Sequence, residues 1–123
     1  MSQFQTYDVT FNVALTHLTK KDGIVQPKRV IGQSIQWYFP IIPWTGLRIG
    51  NGDFLIVSEV YYLGEDPSNG RVKFKVDLVS IQDPLGSRME DKDYIWDSVE
   101  SMQVMVKNTS KWDWIWRTVT LPS

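Results

Sequence analysis

Along much of this chain apolar and polar residues alternate with a period of two, the signature of strands with one buried face. Val9, Phe11, Val13 and Leu15 alternate with Asp8, Thr10, Asn12 and Ala14. Val72, Phe74, Val76 and Leu78 alternate with Arg71, Lys73, Lys75 and Asp77, the cleanest amphipathic strand in the chain. Ile35, Trp37 and Phe39 alternate with Ser34, Gln36 and Tyr38, which predicts a further strand ending at Pro40. The stretch from Phe54 to Leu63 is apolar on both faces over its first half, as a central strand would be. Ile24 to Ile31 is ambiguous, because Pro27 interrupts it and demotes it to an edge or a loop.

Turn signals separate these runs at short intervals. Lys20-Lys21-Asp22-Gly23 and Gly64 to Gly70 read as polar turns. Asn51-Gly52 is a type I′ hairpin signal after a short strand at Leu47-Arg48-Ile49, since both central residues of that turn need positive φ. Pro40 and Pro43 prevent a regular central strand or helix between them. Residues 88–107 fit two patterns. Ile95, Val99, Met102 and Val106 have helical spacing, whereas Met102, Val104 and Val106 have strand spacing. The expectation is a short helix or irregular turn near 90–99 and a strand at about 101–107. Asn108-Thr109-Ser110 would then turn that strand into the last one.

The last strand, read as residues 112–121, carries Trp112, Trp114 and Trp116. In a strand they share a face and form an aromatic ladder, whereas a helix would spread them around its circumference. Three readings remain open for that face: core, subunit interface, or a stacking platform for bases or sugars. Each buried indole N–H needs an acceptor. Neither face is purely polar, since Asp113 and Arg117 share the other one with Ile115 and Val119.

These elements predict a single mainly β domain spanning 1–123. It is a small antiparallel barrel or sandwich of about six to seven strands, with at most one short helix. Six Trp, five Tyr and five Phe in 123 residues suit a domain that also associates with something. Net charge is −1, so no global basic excess points to nucleic acid or membrane. With no cysteine, disulfides and thiolate chemistry are excluded. Met1 to Asp8 has no basic n-region and no apolar h-region, so no Sec signal is expected there. No apolar run approaches the ~18 residues of a membrane span. A cytoplasmic protein or a virion component is expected.

Catalysis is not expected, and no cofactor or metal is called for. His17 has no second His or Cys partner. Gly46, Gly50 and Gly52 precede a strand, whereas a phosphate-cradling loop needs a following helix. Glu90, Asp91 and Asp93 lack EF-hand spacing and read as a solvated turn or a helix start. Arg71, Lys73 and Lys75 line one strand face. They form a candidate nucleic-acid face if an aromatic supplies stacking, and a plain solvated face otherwise. The interface candidates are Phe39, Trp44, Trp112, Trp114 and Trp116. The proline-stiffened stretch 38–44 would lose little entropy on docking. A homo-oligomer or protein assembly is the expected partner, with single-stranded nucleic acid or glycan as the alternative.

The stretch Phe39-Pro40-Ile41-Ile42-Pro43-Trp44-Thr45-Gly46-Leu47-Arg48-Ile49, continuing through Phe54 and Val57 to Val60-Tyr61-Tyr62-Leu63, resembles short uncharacterised bacterial and phage β-domain proteins. Their shared pattern is proline, proline, glycine, then a hairpin. The resemblance implies a small β-barrel from a mobile element or accessory gene. It implies no activity and no catalytic residue, and it leaves the Trp strand outside.

Overall fold

The structure is a computed structural model that describes residues 5–21, 23–50, 55–80 and 99–119. Within these, the chain is mainly β: six strands in one curled, half-barrel sheet, with one helix. The strands are β1 (Tyr7–Lys21), β2 (Ile24–Phe39), β3 (Arg48–Ile49), β4 (Leu55–Glu65), β5 (Val72–Ser80) and β6 (Ile115–Val119). The helix is α1 (Val99–Ser110). Sheet order is β3-β4-β5-β1-β2-β6, and every pair is antiparallel except the central β1–β5 seam, which is parallel.

The alternating apolar positions of β1 and β5 form one buried face. Val9, Phe11, Val13, Leu15, Phe74, Val76 and Leu78 are all buried there. Helix α1 closes that face with Val99, Met102 and Val106, which are also buried. This corrects the strand expected at 101–107. A strand would bury Val104 together with Met102 and Val106, but Val104 is 57% exposed. Asn108, Thr109 and Ser110 are therefore the end of the helix, and the reversal comes at Lys111 (φ 64°), whose N–H donates to the Lys107 carbonyl. Glu100 in the first turn and Lys107 in the last complement the helix dipole. The turn or helix expected near 90–99 lies mostly outside the described residues, as do Glu90, Asp91 and Asp93.

Other boundaries also moved. The first turn is shorter than Lys20 to Gly23, since Lys21 already pairs with Ile24, and Gly23 within it has φ 78°. Residues 24–31 are regular strand despite Pro27. Pro27 lies beyond the stretch of β2 that pairs with β6, so the strand has one neighbour there among the described residues. The hairpin expected around Asn51-Gly52 is formed by β3 and β4, with Ile49 opposite Leu55; the turn lies outside the described residues. Two bulges in β4, at Ser58 and Leu63, help curl the sheet.

A further bulge reorients the end of β2. Tyr7 pairs with Phe39 and Val9 with Gln36, so Trp37 and Tyr38 together oppose Asp8. Tyr38 has φ 61°, a left-handed conformation that an aromatic residue rarely adopts. Asp8 holds it: the Tyr38 N–H donates to Asp8 Oδ1 at 3.4 Å, and the Arg71 guanidinium lies 4.1 Å from the Tyr38 ring centroid. Arg71 in turn donates from Nε (2.9 Å) and Nη2 (2.8 Å) to Asp8 Oδ1, and from Nη2 to Thr6 Oγ1 (3.1 Å). The single apolar face expected for Ile35, Trp37 and Phe39 is thereby split. Phe39 packs against the core, while Ile35 and Trp37 are exposed.

The Asp8–Arg71 pair makes a pH prediction. The Arg71 hydrogen bond holds the Asp8 carboxyl below its usual value, against the opposing effect of burial. A carboxyl depressed in the folded state stabilises above its unfolded pKa of about 4, and that stability is lost as pH falls through the folded value. Asp8→Asn is expected to cost about 2 kcal/mol at pH 7, less than a fully buried pair because Arg71 is partly exposed. Below about pH 4 the gap between wild type and variant is expected to close. Thermal melts across pH 2–7 measure this, and a gap independent of pH would refute it.

Candidate interaction surface

Four of the five sequence-derived interface candidates form one continuous aromatic chain. Phe39 meets Phe11 at 5.3 Å between ring centroids and Trp112 at 6.1 Å. Phe11 lies 4.5 Å from Trp112, Trp112 lies 6.2 Å from Trp114, and Trp114 stacks on Trp116 at 5.9 Å with planes 30° apart. The period-two ladder therefore exists. Regular pairing begins only at Ile115, and Trp112 and Trp114 are held in the segment between α1 and β6.

The ladder's partner strand differs from the expected one. Residues 101–107 are helical, so β6 pairs with β2 instead, from Arg29↔Val119 to Gln33↔Ile115. Trp116 sits directly opposite Gly32, and a Cβ on Gly32 would come within 2.5 Å of the indole Cζ3. Glycine here admits the ring, a close approach that a side chain would block.

All three tryptophans are half-buried against the core, while Asp113 and Ile115 are exposed on the other side. The Trp114 indole N–H finds its acceptor in the Ser110 hydroxyl at 2.9 Å. That hydroxyl also accepts from the Trp112 N–H (3.2 Å) and donates to the Val106 carbonyl (2.8 Å). One serine thus ends the helix and aims the ladder. The outer edges of Trp114 and Trp116 border an open groove of about 380 Å³ against Gln103, Val104 and Lys107 of α1.

Trp44 is separate from this chain and 55% exposed. It belongs to an apolar strip that sequence reading only partly identified: Ile35, Trp37, Tyr38, Ile41, Ile42 and Trp44 are each 40–67% exposed. Pro43 is buried, and the segment is anchored past it by Gly46 N–H to the Val57 carbonyl and Val57 N–H to the Leu47 carbonyl, both 2.8 Å. Beyond Val57 the outer edge of β4 has no strand partner among the described residues, and Tyr61, Tyr62 and Leu63 are exposed there. The bulge at Tyr38 is the missed signal. Its partners Asp8 and Arg71 are distant in sequence.

The candidate basic face is largely neutralised. Arg71 pairs with Asp8, and Lys73 Nζ lies 2.9 Å from Asp66 Oδ2. Asp66 also accepts from the Ser68 hydroxyl and N–H, and these bonds hold its carboxyl well below the usual range. Of these three cations only Lys75 has no ion pair among the described residues, and it lies 5.1 Å from the Tyr61 ring centroid.

His17 lies in β1 opposite Lys28, but its side chain is outside the described residues. Among the described residues no group of three His, Cys, Asp or Glu side chains is placed to hold a metal ion. Nor is any described helix long and apolar enough to cross a membrane. Compared with protein-family models, curated proteins and solved structures, the chain has no match.

Proposed function

We propose that this protein is a non-catalytic structural component that self-associates or docks onto a larger assembly, of the kind encoded by phages and mobile elements. The observation that supports this reading best is the exposed strip from Ile35 to Trp44. A soluble domain rarely leaves so many large apolar side chains together in water, and such patches mark association sites. Tryptophan and tyrosine are the residues that dominate binding energy when a partner covers them. Prolines 40 and 43 limit the entropy lost on docking. Phe39 and Trp112 have a supporting role here, since their ring contact ties down the end of β2, and Trp114 and Trp116 continue the aromatic chain behind Trp112.

A nucleic-acid reading based on Arg71, Lys73 and Lys75 has less support, because two of the three cations are already ion-paired.

Sedimentation velocity over a wide concentration range tests the self-associating form. Wild type is expected to assemble beyond the monomer. The exposed-site variant Trp37→Ser/Trp44→Ser is expected to shift the equilibrium at least about tenfold towards monomer, since each anchor is worth more than ~1 kcal/mol. A wild-type protein that stays monomeric at every concentration would sink that form.

A further inference from the structure

The outer face of the sheet, opposite the helix, contains a groove of about 400 Å³ that the docking proposal does not use. A volume of that size suits a small ligand or part of a longer one. Its lining brings together residues from five strands, β1, β2, β4, β5 and β6. Ile31 of β2 pairs with Arg117 of β6, and Arg29 is two residues along β2 on the same face. Asn12 of β1 pairs with Gln33 on one side and Asp77 of β5 on the other. Lys75 is two residues before Asp77, and Ala14 and Val79 supply apolar floor.

The charges in this groove are unbalanced. Arg29, Arg117 and Lys75 line it against one carboxylate, Asp77. Four cations elsewhere meet acids: Lys28 meets Glu100, Arg71 meets Asp8, Lys73 meets Asp66 and Lys107 meets Asp113. Arg29 and Arg117 have no such partner among the described residues. The register nonetheless makes them diagonal neighbours, since Arg29 pairs with Val119 and Arg117 with Ile31, and like charges on one face repel.

A second observation points the same way. Asn12 Oδ1 accepts from Gln33 Nε2 at 3.4 Å, but Asn12 Nδ2 is shielded from solvent and donates to nothing. A buried donor without an acceptor costs about 1–3 kcal/mol, so it calls for an explanation. The groove thus offers guanidinium, ammonium and amide donors and few acceptors. Guanidinium pairs favour planar or tetrahedral oxyanions through paired N–H···O bonds. Two guanidiniums and an amide hold more N–H groups than one carboxylate can accept, which favours the three or four oxygens of a phosphate.

We propose that this groove binds a phosphate-bearing ligand, held by Arg29 and Arg117 with Lys75 and the Asn12 amide completing the site. The phosphate could belong to a small metabolite, a nucleotide or a nucleic-acid backbone, which share this chemistry. The proposal does not depend on the docking reading, because none of its residues belongs to the Ile35–Trp44 strip.

Isothermal titration of the full chain at fixed ionic strength, against chloride alone, tests it with three probes: inorganic phosphate, a nucleoside monophosphate and oligothymidylate. Saturable binding of at least one probe is expected, and the tightest names the source. Arg29→Gln/Arg117→Gln is expected to weaken it at least about tenfold, as loss of a charge-assisted pair implies. Asn12→Asp, which keeps an acceptor for Gln33 but places a charge in the groove, is expected to weaken it as well. Lys28→Gln, outside the groove, is expected to leave it unchanged. Circular dichroism of each variant checks the fold. No saturable binding by any probe, or equal binding by wild type and a folded double variant, would overturn the proposal.

Discussion

Phe11→Ala is expected to lower the unfolding free energy by about 4 kcal/mol, the largest loss from any single truncation in this chain. Phe11 is fully buried, and it lies between Phe39 and Trp112 in ring contact with both. Removing the ring deletes its transfer free energy, leaves a cavity and breaks two aromatic contacts. The site cannot collapse easily, because Phe39 is tied to the Tyr38 bulge and Trp112 to Ser110. Domains of this size are stable by roughly 5–15 kcal/mol, so the variant is expected to be partly unfolded near 37 °C. Urea unfolding followed by far-ultraviolet circular dichroism measures the change. A loss under about 1.5 kcal/mol would show that the aromatic chain is not part of the folded core.

Gly32→Val ranks second, at about 3 kcal/mol. Valine is a better strand former than glycine, so propensity alone predicts stabilisation. Geometry predicts the opposite. A Cβ at Gly32 meets three atoms of the Trp116 ring within 2.8 Å, and the ring is stacked on Trp114 and has little room to retreat. β6 is then expected to separate from β2. The sign of the effect decides between the two arguments. Trp116→Ala in the Gly32→Val background should recover part of the loss, and a double-mutant cycle measures the coupling. Additive effects would refute direct contact between the two residues.

The elements legible in the sequence were those whose pattern is local. Val72, Phe74, Val76 and Leu78 alternate because β5 has one buried face, and the structure buries three of them. Lys20 to Gly23 marked a turn, and the structure keeps it at Gly23 (φ 78°) while Lys20 and Lys21 remain in β1, because the positive-φ requirement belongs to the turn itself. The tryptophan spacing gave the ladder's shared face for the same reason. What was missed depends on residues far apart. Met102 and Val106 satisfy helix and strand alike, and the deciding fact is that Val104 is exposed. The parallel β1–β5 seam leaves no local mark, because each strand reads the same whichever neighbour it takes. The bulge at Tyr38 depends on Asp8 and Arg71, and the cationic groove gathers Arg29, Lys75 and Arg117 from three strands.

The order of the sheet also separates the chain into unequal tasks. Strands β3, β4 and β5 are consecutive in sequence and pair as neighbours, so they can assemble as a local meander. β6 must instead find β2 across all of them and the helix. Long loop closures of this kind come late and slowly in folding. Trp116, on β6, is expected to reach its place opposite Gly32 and against Trp114 only with that closure. Its stacking on Trp114 is therefore expected to give a near-ultraviolet signal that reports when the sheet acquires its last strand, separately from formation of the meander.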